Sequence, residues 1–191
     1  MCTSRTITYC VLLTLASGCG LFETRSPEDP SQSPSFYVPP TVANLVIDNL
    51  RNSIIQQSPD TYIRCFIDSG YRYIPSAPGA SRFPSAFIGW TKQEEENYFR
   101  NLVSHKAAPF FSNLFTDEVV FEPQGDSTIY SSRYTYSFDH DDVSFPNTSR
   151  GRLRMVLRRT ADGTWAIAEW RDDEEIDTVF TWTDFRGKFR N

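Results

Sequence analysis

The spacing of apolar side chains changes once along this chain, and that change restricts the fold more than any other feature of the sequence. Between residues 42 and 105 apolar residues recur at helical spacing, as in Val42, Leu45, Val46, Leu50 and Ile54. From residue 117 onward they alternate. Tyr130, Tyr134, Tyr136 and Phe138 share one face of a segment over 127–138, and Leu153, Met155 and Leu157 share one face of another over 150–159. Helices followed by a run of alternating strands give an α+β arrangement, with the helices segregated from a mostly antiparallel sheet.

Local signals set the boundaries. Thr41, after Pro39 and Pro40, predicts the N-cap of a helix over 42–57. Ser58-Pro59-Asp60 predicts a second start, and Tyr62, Ile63, Phe66 and Ile67 give that helix (59–68) its buried face. Residues 71–90, broken by Pro75, Pro78, Gly79 and Pro84, predict one or two short strands around a loop. Thr91-Lys92-Gln93-Glu94 forms a capping box for a helix running to about His105, with Tyr98, Phe99, Leu102 and Val103 as its apolar stripe. Phe110, Phe111, Leu114 and Phe115 predict another turn or two of helix. Strands are expected at 117–123, 127–138, 150–159 and 164–171, with a turn at Asp162-Gly163 and a last strand near 177–182.

Residues 1–18 carry the anatomy of an export leader: a single charge, Arg5, then an apolar run too short to span a bilayer. The run ends Leu15-Ala16-Ser17-Gly18-Cys19, which resembles the bacterial lipobox with its leucine displaced by one position. The resemblance implies that Cys19 becomes a diacylated N-terminus, N-acylated in turn, tethering the chain to a membrane, since two acyl chains anchor stably where one does not. Gly20 follows where an Asp would imply retention at the inner membrane. The expected location is therefore the periplasmic face of the outer membrane. Residues 19–40 hold the lipidated cysteine and a Pro/Ser-rich linker containing Pro27, Pro30, Pro34, Pro39 and Pro40. Extended at ~3.1 Å per residue, it reaches up to ~60 Å from the lipid. A single α+β domain is expected over 41–191.

Of the four cysteines, Cys2 and Cys10 leave with the leader and Cys19 is the anchor, so Cys65 has no disulfide partner. Its neighbours Tyr62, Ile63, Phe66 and Ile67 predict a buried, inert thiol. A net charge of −5 argues against nucleic-acid binding, because neutralising phosphates requires a basic surface. Beside an anionic membrane, it favours a tether over surface adsorption.

The paired helical start (42–67), the Trp-then-acidic helix from Trp90 to Val103, and the closing run Asp162-Gly163-Thr164-Trp165-Ala166-Ile167-Ala168-Glu169-Trp170 are similar to the nuclear transport factor 2-like superfamily. The resemblance covers roughly 42–185 and implies a curved sheet wrapped around helices as a cone. Its closing pattern, Gly163, Trp165 and Ile167 followed by Trp170 and Asp172, is common in bacterial lipoproteins of that fold. The superfamily includes isomerases, dehydratases, ligand binders and assembly domains, so no single activity follows.

Candidate chemistry is sparse. Asp139-His140-Asp141-Asp142 offers oxygen and imidazole ligands but lacks the glycine turn and bidentate glutamate of a calcium loop, and reads as a solvated polar loop. Asp172-Asp173-Glu174-Glu175 reads as an acidic turn, with Arg150, Arg152, Arg154, Arg158 and Arg159 as a basic stripe that cross-strand ion pairs would satisfy and an acidic partner would also suit. His105, ending a helix, complements its dipole. Tyr62, Tyr73, Tyr130, Tyr134 and Tyr136 are expected as core with hydroxyls at the rim. Asn147-Thr148-Ser149 matches a glycan acceptor, which the bacterial leader discounts. No hydrolase elbow, metalloprotease, phosphate-loop or dinucleotide motif occurs, so no cofactor, metal or catalytic residue is expected, and Cys19 is the one assigned site. The expected function is a lipid-anchored envelope domain with an apolar, aromatic interior that binds an envelope protein or small ligand without catalysis. The alternatives are an assembly module, such as a homodimer through its sheet face, and a small-molecule isomerase or dehydratase using the cone.

Overall fold

The computed structural model describes residues 37–190. The expected leader, Cys19 and the linker up to residue 36 lie outside the described residues. In chain order the elements are α1 (Ala43–Ile55), α2 (Pro59–Ile63), β1 (Arg72–Ile74), α3 (Ala77–Arg82), α4 (Lys92–Ser104), β2 (Ser112–Gln124), β3 (Ser127–Phe138), β4 (Thr148–Arg159), β5 (Trp165–Asp173) and α5 (Trp182–Lys188). The strands form one open sheet in the order β1-β5-β4-β3-β2, antiparallel except where β1 runs parallel to β5. Among the described residues no helix is long and apolar enough to cross a membrane.

Strand alternation works as the sequence predicts. Tyr130, Tyr134, Tyr136 and Phe138 on β3, with Leu153, Met155 and Leu157 on β4, are buried on one face, where Val46, Leu50, Ile54, Tyr62, Phe99 and Leu102 pack against them. The other face of β3 and β4 carries arginines, short polar side chains and the apolar Ile129 and Val156.

Five stretches differ from expectation, most of them for a tertiary reason. Helix α1 starts after Val42, whose side chain makes no cap bond, rather than at Thr41; Val42, expected on the apolar face, is exposed. The chain entering α1 is held instead by Asn49, whose amide oxygen accepts from Val38 N–H at 3.0 Å and whose nitrogen donates to Val38 O at 2.6 Å. Trp165 N–H also donates to Pro40 O at 2.8 Å, so residues 37–40 are joined to the domain. Helix α2 stops at Ile63, because residues 65–67 pair with β5: Ile167 N–H donates to Cys65 O at 2.8 Å and Ile67 N–H to Ile167 O at 3.0 Å. Residues 110–115, expected as helix, enter β2 with Ser112 opposite Phe138 and Leu114 opposite Tyr136, leaving Phe111 and Phe115 exposed. A short apolar run fits either period, and pairing with β3 decides it. The last expected strand, 177–182, is a loop leading into α5, where the Asp184 carboxylate accepts from Thr181 N–H at 2.8 Å. The short helix α3 sits in the 71–90 segment read as strand and loop.

Helix α5 approaches α3 closely. A Cβ at Gly79 would stand 2.6 Å from Thr183 Cγ2, so the contact between these helices needs glycine there.

Cys65 is buried, its Sγ 3.6 Å from Thr61 O. Burial pushes its thiol up to about 12, against the lowering pull of Arg64 and Lys92. With Cys2, Cys10 and Cys19 replaced by serine, a thiol reagent at pH 8 should modify Cys65 only as fast as the domain unfolds. Rapid stoichiometric labelling of the folded protein, followed by mass spectrometry, would show an accessible thiol instead.

Candidate functional site

Glu95 lies one residue beyond the capping box that starts α4, and it holds an apolar position in that helix's register. Glu95, Tyr98, Phe99 and Leu102 form the buried stripe of α4. Its carboxylate is fully buried, so its oxygens must be satisfied from within. Oε1 accepts from Tyr62 OH at 2.6 Å and from Arg186 Nη2 at 2.7 Å. Oε2 accepts from Trp90 Nε1 at 2.8 Å and Tyr71 OH at 3.1 Å, and Arg186 Nε lies 3.0 and 3.1 Å from the two oxygens. The Arg186 guanidinium, also fully buried, lies 4.2 Å from the Trp170 ring centroid and 4.3 Å from that of Tyr73. Burial works against its charge, and Glu95 beside it more than restores that charge, holding its pKa well above the ordinary range. Burial first, and then the Glu95 charge, push the Tyr62 and Tyr71 hydroxyls well above theirs.

A second carboxylate, Asp172, is buried on β5. Tyr134 OH donates to Oδ1 at 2.7 Å, while Thr183 N–H and Oγ1–H donate to Oδ2 at 2.7 and 2.6 Å. The Thr183 proton is thus committed, so the Tyr73 hydroxyl, 2.7 Å away, donates to Thr183 Oγ1. Tyr134 OH in turn accepts from Trp182 N–H at 2.7 Å. Gly151 stands opposite Tyr134 on β4, and a Cβ there would come 2.9 Å from the Tyr134 hydroxyl and 2.6 Å from Asp173 O. Glycine at 151 lets the phenol reach Asp172. Burial raises the Asp172 pKa, opposed by the hydrogen bonds from Thr183 and Tyr134. A third carboxylate, Asp184 on α5, takes Arg82 in a two-pronged contact at 2.5 and 2.7 Å.

All three carboxylates join α5 to the rest of the molecule. Trp182 of that helix stacks on Tyr136 at 4.2 Å and donates its indole N–H to Tyr98 OH at 2.9 Å, while Phe185 packs edge-on against Tyr136. The interior expected to be apolar therefore holds, among the described residues, four fully buried acidic or basic side chains: Glu95, Asp172, Asp184 and Arg186. They converge on α5, which fills the space inside the sheet, and not on an open cavity. A groove of about 580 Å³ opens elsewhere, between Tyr37, Arg64 and Trp165, where Lys92 is already bonded to Phe66 O and Asp68.

The remaining candidates disperse. His140 is buried among Phe145, Phe185 and Phe189 rather than solvated. Asp139 accepts from Phe111 N–H and Asn147, Asp141 from His105 at 3.0 Å, and Asp142 pairs with Lys188. Among the described residues no three His, Cys, Asp or Glu side chains cluster to hold a metal. Of the acidic run 172–175, expected in water, Asp172 is core, while Glu175 bridges Arg133 and Arg152 at 3.1 and 3.0 Å. Cys19 lies outside the described residues. Glu95 was detectable in sequence as an acid at the first position of a buried helical stripe. Asp172 was also detectable, as the residue two after Trp170 on an alternating strand.

No protein-family model matches the chain, and no curated protein matches it in sequence. Solved structures match it in fold. A candidate scytalone dehydratase from Novosphingobium aromaticivorans is 6% identical over 70% of this chain and 81% of its own, with a TM-score of 0.54. A nuclear transport factor 2-like protein of unknown function in nutrient uptake from Rhodospirillum rubrum is 15% identical over 70% and 98%, with a TM-score of 0.52. A candidate dehydratase of the nuclear transport factor 2-like family from Streptomyces avermitilis is 12% identical over 70% and 93%, with a TM-score of 0.51. At these identities the likeness extends to the fold alone. The domain has the nuclear transport factor 2-like α+β fold, with its sheet not closed.

Two outcomes follow from the buried charges. Glu95→Gln and Arg186→Met should each cost about 3–5 kcal/mol in urea unfolding, because each strands the other's charge, and the double variant should lose clearly less than their sum. The pKa of Asp172 is raised in the folded state above the ordinary 3.8. The stability this contributes is complete below about pH 4 and is lost as pH rises through the folded value. Asp172→Asn, which cannot ionise, should therefore gain stability relative to the parent between pH 4 and pH 7; a pH-independent difference in urea midpoints would contradict the shift.

Proposed function

We propose that this chain is a lipid-anchored cell-envelope protein whose nuclear transport factor 2-like domain binds a partner and does not catalyse a reaction. The observation that carries the non-catalytic reading is the occupancy of the interior. An acid–base enzyme needs a cavity into which titratable groups project toward a substrate. Here Trp182, Thr183, Asp184, Phe185 and Arg186 fill that space, and the oxygens of Glu95 and Asp172 are engaged by Tyr62, Tyr71, Trp90, Tyr134, Thr183 and Arg186. Oxygens so committed face protein donors and not a ligand. Binding therefore belongs to the outer surface. The anchoring reading rests on Leu15-Ala16-Ser17-Gly18-Cys19 and on the Pro/Ser-rich residues that follow.

Two measurements test the proposal together. Metabolic labelling with an alkyne fatty acid should mark the parent chain in the membrane fraction. Cys19→Ala should abolish the label, leave the leader uncleaved and release the protein from detergent phase. Affinity capture of the full chain from solubilised envelopes should return a protein partner. A small molecule recovered from the interior with α5 displaced, or turnover that depends on Glu95 or Asp172, would overturn the non-catalytic reading.

A further inference from the structure

The outer face of the sheet carries two opposed arginine pairs that are treated differently. Arg133 on β3 stands directly opposite Arg152 on β4. Opposed like charges lie about 5 Å apart at Cα and repel unless something lies between them. Here two carboxylates do. Glu118 accepts from Arg133 at 3.1 Å and Arg152 at 2.5 Å, and Glu175 lies 3.1 and 3.0 Å from the same two residues. The next rung on that face opposes Arg154 on β4 to Arg171 on β5. No carboxylate among the described residues bridges this pair. Arg171 contacts Asp173 at 3.2 Å, and Arg154 lies 3.7 Å from Glu169, a carboxylate already taken by Arg72. Further along β4, Arg158 is exposed and has no ion-pair partner among the described residues. Beyond the Arg154–Arg171 rung a depression of about 290 Å³ is lined by Arg72, Val156, Arg158 and Glu169, with Gly70 and Ala168.

We infer that this face, from the Arg154–Arg171 rung to Arg158, is a docking surface for an acidic protein segment in extended conformation. One Asp or Glu of the segment bridges Arg154 and Arg171 as Glu118 and Glu175 bridge Arg133 and Arg152. A second acid, four residues on, lies about 13 Å along the strand direction, which is the reach from Arg154 to Arg158. The site is built from guanidiniums, which take a carboxylate through two parallel bonds where an ammonium acts as a point charge. The bridged rung beside it shows the ligand chemistry that this face accommodates. Among the described residues, the only carboxylates that the four arginines 72, 154, 158 and 171 contact are Glu169 and Asp173, leaving a local positive excess on a chain of net charge −5, which favours an acidic partner over a basic one. The inference rests on the binding-domain reading above but not on the anchor.

The test is a titration of the full 15N-labelled chain with a peptide of alternating Glu and Thr, and with its Gln-for-Glu counterpart, read at the arginine Nε–H resonances. The Glu peptide should shift Arg154, Arg158 and Arg171, more at low salt than at high, and the Gln peptide should not. Arg154→Gln/Arg171→Gln should weaken the Glu peptide about tenfold or more, while Arg100→Gln, on the surface of α4, should leave it unchanged. Equal shifts with both peptides, no shift with either, or undiminished binding by the double variant would overturn the assignment. So would phosphatidylglycerol vesicles that move the three resonances when the Glu peptide does not. If the double variant still captures the envelope partner at parental yield, the binding-domain reading stands and this surface is not its seat.

Discussion

The ion pair of Glu95 and Arg186 is the contact on which the rest of the interior depends. Two opposite charges in a protein core cost several kcal/mol each to desolvate, and their attraction offsets that only when the remaining hydrogen-bonding capacity is met. Here Tyr62, Tyr71 and Trp90 supply the donors that Glu95 still needs, and the rings of Trp170 and Tyr73 bracket the guanidinium. A well-packed apolar pair could give the same stability. What the ion pair adds is a single allowed position for α5, because any other seating of that helix leaves a buried charge alone.

The other two carboxylates repeat this logic at the first turn of the same helix. Asp172 holds Thr183 and, through the Tyr134 hydroxyl, the Trp182 N–H; Asp184 caps the helix and engages Arg82. The small residues around it follow from the same constraint. Gly79 allows α3 to meet Thr183, and Gly151 leaves the path that Tyr134 takes to Asp172. The space inside the sheet is filled by α5, and the buried polar groups hold that helix in place.

The sequence made the architecture legible wherever a segment was long enough for its period to be unambiguous. Twelve-residue strands such as β3 and β4 and the capped helix α4 stand close to where alternation and the Thr91–Glu94 box put them. Short apolar runs were not legible. Phe110–Phe115 fits a helical stripe as well as a strand, and only the partner strand β3 distinguishes the two. Residues 177–182 fail for the converse reason: the helix that follows is announced by Thr181 and Asp184, a cap signal hidden behind an apolar pair. The interior network was the least legible feature. Charged residues are counted outward by default, and in a row such as Glu94-Glu95-Glu96 or Asp172-Asp173-Glu174-Glu175 the buried member is told apart only by its phase relative to the apolar stripe.

The same phase separates the two sides of the sheet into two settings for the same residue types. On the inner side, Glu95, Asp172 and Asp184 are desolvated and engaged by protein donors. On the outer face, carboxylate and guanidinium remain in water, where each pair contributes little to stability and can exchange one partner for another at small cost. Arg133 and Arg152 are held by carboxylates from β2 and from the loop after β5, while the neighbouring Arg154 and Arg171 share none. With α5 filling the interior, the docking proposed for this outer face works by exchange of solvated ion pairs and not by filling a pocket.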